Sequence, residues 1–219
     1  MNYLVKVDIT VYHYRDWTIL SENFPNVYLV SDFYFSDRFS DTNLEFLTLK
    51  GKLEDISKFL SIIMPSKASM EFDFSGKTVG KSNLFLRGNY RNSVRKLISD
   101  YGGITKKLVI NKGLEKYVLF FIEDDSAEKF IETLSSMALI KHYTKEYIPM
   151  KETFDLFFPK VTQTEIDILS FCLKNGFFDT PRKIDMKGLM NNFKVSKSTI
   201  NYHLRKSIKN ILSSYLFND

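Results

Sequence analysis

The chain has 219 residues and a mass of 25.7 kDa, room for one large domain or two small ones. With 44% apolar, 26% charged and 15% aromatic residues it can bury a core, which excludes a disordered tail or a fibrous protein. The net charge of +5 is confined to one end: residues 160–219 hold ten basic and five acidic side chains, and residues 1–159 hold 21 of each. A basic segment beside a neutral one is the pattern of a polyanion-binding domain joined to a separate sensing or assembly domain, although a solvated face also accounts for an excess of five.

The longest apolar runs, such as Ile62 to Met64 and Val118 to Ile122, fall far short of the roughly 20 residues that span a bilayer. The N-terminal Met-Asn-Tyr-Leu-Val-Lys-Val-Asp lacks a basic region followed by an apolar one, so the expectation is a cytoplasmic protein without a secretory signal and without a membrane partner. A single cysteine, Cys172, permits no internal disulfide. The scattered His13, His142 and His203 make a zinc cage of protein ligands implausible, so neither metal nor cofactor is expected.

In residues 1–150, β-branched and aromatic runs alternate with helix-period segments. Leu4 to Tyr12 reads as a strand, Tyr14 to Ser21 as a short helix, Val27 to Phe35 and Asn43 to Leu49 as strands, Leu53 to Met64 as a helix and Ser69 to Phe74 as a strand. The same order then returns in Asn83 to Arg87, Arg91 to Tyr101, Thr105 to Asn111, Lys116 to Ile122, Ser126 to Met137 and Leu139 to Tyr147. Two β-α-β-β-α-β units predict a tandem ferredoxin-like, α+β module with a sensing or dimerisation role. Gly102-Gly103 supplies the freedom to stop the third helix, and Asp124-Asp125-Ser126 offers oxygens to cap the fourth. No serine or cysteine nucleophile signature stands near His13 or His142, and Trp17 reads as core.

Residues 151–159 form a connection, whose Phe154, Leu156, Phe157 and Phe158 read as packing between domains or as a partner surface. Residues 160–219 then read as an all-α domain. Thr162-Gln163-Thr164-Glu165 is a capping box that starts a helix, with Val161 and Ile166 as its staple and Ile166, Leu169 and Leu173 as its buried stripe. Asn175-Gly176 ends it, and Cys172 reads as a small core residue. Asp185 caps a second helix from Met186 to Phe193. After the turn at Lys194-Val195, Ser196 caps a long third helix whose buried stripe is Ile200, Leu204, Ile208, Ile211 and Tyr215.

Opposite that stripe, Ser198, Asn201, Tyr202, Arg205 and Lys209 fall within an arc of roughly 100°, with Lys206 at its edge and Lys197 and Thr199 in the first turn. Arginine can donate two bonds to guanine, asparagine can pair with adenine, and lysine neutralises phosphates. Arg182 and Lys183 add charge before the second helix. These ten residues are the candidate DNA-binding set.

Thr162, Glu165, Leu169, Gly176-Phe177-Phe178-Asp179, Pro181-Arg182, Leu189, Val195-Ser196-Lys197-Ser198-Thr199-Ile200 and His203-Leu204-Arg205-Lys206 together resemble the helix-turn-helix domain of archaeal bacterio-opsin-activator-type transcription regulators. The resemblance covers about the last 60 residues. Three positions depart from it: Lys194 where a turn glycine is usual, Met190 where a small residue is usual, and Ser207 where alanine is usual. The resemblance implies a DNA-binding transcription regulator with double-stranded DNA as partner. Paired reading heads make a homodimer the expected state, with a small-molecule effector possible. The alternatives are a metabolite-binding regulatory protein or an enzyme using the ferredoxin-like module, an RNA-binding protein, and an interaction adaptor. The chain has no Walker loop, Gly-x-Gly-x-x-Gly, His-Glu-x-x-His or Gly-x-Ser-x-Gly motif, so it is not expected to be an enzyme.

Overall fold

The computed structural model describes residues 3–37, 39, 41–63, 71–73, 77–78, 81–89 and 91–216. The chain divides into two compact units, Met1–Met150 and Lys151–Asp219. The first is a mixed α/β unit built on an antiparallel sheet, and the second is helical. No described helix is long and apolar enough to cross a membrane.

In the first unit, β1 (Tyr3–Tyr12) shows why the sheet is one-sided: Val5, Val7, Ile9 and Val11 are buried, while the intervening Lys6, Asp8 and Thr10 are not. A 3-10 helix, Trp17–Asn23, follows, with Asp16 capping the Thr18 N–H at 3.0 Å. Then come β2 (Tyr28–Asp37), β3 (Thr42–Lys50), α1 (Leu53–Ile63), β4 (Glu71–Asp73), the two-residue β5 (Lys77–Thr78) and β6 (Lys81–Asn89). The remainder is α2 (Val94–Asp100), β7 (Ile104–Asn111), β8 (Leu114–Phe121), α3 (Asp124–Met137) and β9 (Leu139–Pro149). Of the expected strand from Ser69 to Phe74, Ser69, Met70 and Phe74 lie outside the described residues.

The helices supply Ile56, Phe59, Leu60 and Ile63 from α1, Val94, Leu97 and Ile98 from α2, and Ala127, Phe130 and Leu134 from α3 to one core with the buried strand residues. Each fully buried Phe or Ile contributes about 1.5–3 kcal/mol relative to exposure. Phe46 alternates with the buried Glu45 and Leu47 and stacks with Phe33 and Phe85 on the other side of the sheet, where Phe33 and Phe46 are exposed.

The strand order is β4-β6-β3-β2-β7-β8-β1-β9, with β5 also paired to β6. Chain order therefore does not set the neighbours. β1 lies between β8 and β9, and β6 lies between β3 and β4. The two groups of strands meet at a short seam, Leu29↔Ile110, Val30↔Val109 and Ser31↔Leu108.

One local expectation needs correction. The α3 start carries no side-chain cap bond, because Asp124 is already helical and its carboxylate instead accepts from Lys145 at 2.9 Å and Tyr147 at 3.1 Å on β9. The stretch 151–159 contains most of α4 (Met150–Phe157).

A buried polar cluster interrupts the apolar core. The Arg95 guanidinium on α2 is paired with Glu45 at 2.8 Å and with Glu115 at 3.4 Å, and it donates to the Tyr117 hydroxyl at 3.3 Å. Tyr117 in turn donates to Glu115. Burial pushes the Glu115 carboxyl up to about 7 against the opposing pull of Arg95.

Candidate nucleic-acid interface

The helical unit is assembled from local signals. Helix α5 (Gln163–Lys174) opens on a complete capping box: the Thr162 Oγ1 accepts from the Glu165 N–H at 3.3 Å, and Glu165 Oε2 accepts from the Thr162 N–H at 2.9 Å. Its buried face is Ile168 and Cys172 with the half-buried Leu169. The expected stripe is rotated, since Ile166 and Leu173 are 40% and 67% exposed. Burial pushes the Cys172 thiol up, as suits a side chain packed among apolar neighbours.

Gly176 ends α5 with φ +70°, and a Cβ there would stand 2.7 Å from Asp179 Oδ2 and 2.9 Å from the Lys183 side chain. The Lys183 ammonium closes over this turn onto Asp179 at 2.8 Å, and the Arg182 guanidinium lies 4.7 Å from the centre of the buried Phe177 ring. Asp185 then caps α6 (Met186–Phe193) by accepting from the Gly188 N–H at 2.9 Å.

Lys194 takes φ +53°, the left-handed conformation that glycine would adopt without strain. The departure at this position therefore keeps the turn geometry. Ser196 Oγ accepts from the Thr199 N–H at 3.2 Å and starts α7 (Lys197–Leu216). Ile200 and Leu204 enter the core with Ile168, Cys172, Phe177 and Leu189. Ser207 is buried beside them, its hydroxyl donating to the His203 carbonyl at 2.6 Å, which satisfies the polar atom where alanine was expected. Met190 packs against the same core. Farther along, Ile211 and Tyr215 leave the expected stripe and are exposed, because the core ends about two turns earlier.

On the side of α7 away from this core, Ser198, Asn201, Tyr202, Arg205, Lys206 and Lys209 line one continuous surface. Tyr202, Arg205 and Lys209 are exposed and Asn201 is half-buried. Not every predicted cation is equally available. Lys206 is paired at 3.1 Å with the buried Glu165 and stands 5.8 Å from the centre of the Tyr202 ring. Glu165 thus ties the start of α5 to the middle of α7, a second role that the capping-box motif does not reveal. The backbone N–H of Thr162, followed by Lys206, holds its carboxyl below the usual range. Lys197 is exposed at the start of α7, and Thr199 Oγ1 lies 2.8 Å from Ser196 Oγ. Arg182 and Lys183 sit on the α5–α6 connection, engaged with Phe177 and Asp179.

Residues 161–213 match the family described as HTH DNA binding domain, the bacterio-opsin-activator type. The matched segment runs from before α5 into the last turns of α7 and covers about a quarter of the chain. This match to a helix-turn-helix DNA-binding domain supports a DNA-binding regulator of transcription and points to a regulator rather than an enzyme. Compared with curated proteins, the chain has no match.

Proposed function

We propose that the protein is a sequence-specific transcription regulator in which α7 enters the major groove and the sheet unit pairs subunits or receives a signal. The observation that carries this reading is the division of α7 into two sides: Ile200, Leu204 and Ser207 are buried, while Tyr202, Arg205 and Lys209 are exposed opposite them. Arg205 and Asn201 are assigned to base edges, Ser198 and Tyr202 to the groove wall, and Lys197, Thr199 and Lys209 to phosphates. Arg182, Lys183 and Lys206 contribute charge near the backbone while holding the domain together.

Pairing of two chains would present two such helices to half-sites about 34 Å apart or a multiple of that. The exposed Ile211, Leu212 and Tyr215 at the end of α7 favour pairing. For the first unit, the strand order supports two ferredoxin-like halves that have exchanged their first strands. In β4-β6-β3-β2 the second half's leading strand fills the first half's slot, and in β9-β1-β8-β7 the converse holds.

Duplex binding is expected to weaken steeply with salt, with a log–log slope of about −0.9 for each phosphate neutralised. Lys209→Ala should reduce that slope by about one. Affinity that does not change with salt would contradict the assignment.

A further inference from the structure

The end of β1 builds a second constellation that the DNA reading does not use. The His13 carbonyl accepts from the Asp16 N–H at 3.1 Å, a turn that folds the Asp16 carboxylate back beside the imidazole. The β1–β8 register, Val11↔Glu115 and Tyr12↔Leu114, sets Glu115 on the adjoining strand. His13 Nδ1 consequently lies 3.9 Å from Asp16 Oδ2 and 3.8 Å from Glu115 Oε1. Both separations exceed hydrogen-bonding distance. His13 is 4% exposed, and its Nδ1 is buried without a hydrogen-bond partner.

The carboxylates are held so that one oxygen of each faces this nitrogen. Asp16 Oδ1 accepts from the Thr18 N–H at 3.0 Å, leaving Oδ2 toward His13. Glu115 Oε2 takes the Tyr117 hydroxyl and, at 3.4 Å, Arg95, while Thr18 Oγ1 donates to Oε1 at 2.9 Å and leaves that oxygen further acceptor capacity. Such outer partners fix the direction in which metal ligands point. When ionised, Glu45, Asp16 and Glu115 outnumber the single Arg95 guanidinium by two charges, which a divalent cation balances.

We infer that His13 Nδ1, Asp16 Oδ2 and Glu115 Oε1 form a binding site for a divalent transition-metal ion. The three donor atoms lie within 4.8 Å of one another, and theirs is the one such grouping among the described residues. Ligand bonds of about 2.0–2.2 Å on either side of one ion bridge the two nitrogen–oxygen separations. An imidazole nitrogen beside two carboxylates suits Zn2+, Co2+, Mn2+ or Fe2+, whereas Ca2+ and Mg2+ favour shells made of oxygen. One histidine with two carboxylates forms this site, so the scatter of the three histidines along the chain does not preclude it.

The test uses the full chain stripped with a chelator and titrated separately with Zn2+, Co2+ and Mn2+, with Mg2+ as control. Calorimetry should give one transition-metal ion per chain, and Co2+ should produce a ligand-field absorption band. Asp16→Asn should weaken binding at least tenfold while keeping the cap on Thr18 and an unchanged circular dichroism spectrum. His13→Ala should abolish the band, and His142→Ala should bind as the unmodified chain does. The inference is overturned if no ion binds stoichiometrically, or if folded Asp16→Asn retains full affinity. No readout involves DNA, so this result and that of the salt titration are independent.

Discussion

Arg95→Met is expected to destabilise the sheet unit by about 3–5 kcal/mol, the usual cost of removing one partner from a buried ion pair. The guanidinium is almost fully buried, pairs with Glu45 at 2.8 Å and faces Glu115 at 3.4 Å, so its loss strands two carboxylates in the core. Trp17, the single tryptophan of the chain, lies buried in the same core, and its fluorescence during urea unfolding reports this unit. The double change Arg95→Met with Glu45→Leu should recover part of the loss, because an apolar pair carries no desolvation penalty. A single variant that unfolds within 0.5 kcal/mol of the unmodified chain, on the order of an ordinary surface change, would mean that the cluster is not held by Arg95.

Leu204→Ala is expected to cost the helical unit about 2–5 kcal/mol through the cavity it leaves. That unit has a small buried core, namely Ile168, Cys172, Phe177, Leu189, Ile200 and Leu204. Domains of this size bury proportionately little surface and have little stability in reserve. The helical circular dichroism at 222 nm should therefore fall at a lower temperature, and duplex binding should disappear with it. Tyr202→Ala, on the exposed side of the same helix, should leave the melt unchanged. Equal melts for the two variants would show that α7 is not seated on the core through Leu204.

Local periodicity made much of this architecture legible. The alternation Val5, Val7, Ile9, Val11 marks β1, and Thr162 with Glu165 marks the start of α5. The polar side of α7 could be read for the same reason, since residues three and four apart share a helix face whatever the tertiary setting. The stripe of α5 was harder. Ile166, Ile168, Leu169, Cys172 and Leu173 allow two rotations of the helix, and only packing selects Ile168 and Cys172. The pairing of β1 with β8 and β9 leaves no mark on element order, because these strands are more than a hundred residues from β1 in the chain. The polar cluster was equally hidden: Glu45, Arg95 and Glu115 are isolated charges in separate elements, joined only by folding. Asp124 shows the converse, a capping residue by composition that a lysine and a tyrosine on β9 engage instead.

The most direct test of α7 as the reading helix is fluorescence anisotropy with two duplexes, one selected by the protein from a random pool and one of scrambled sequence. Arg205→Ala and Asn201→Ala are each expected to lose about 1–3 kcal/mol on the selected duplex, with little change on the scrambled one. If both folded variants bind both duplexes as the unmodified chain does, the polar side of α7 does not read bases.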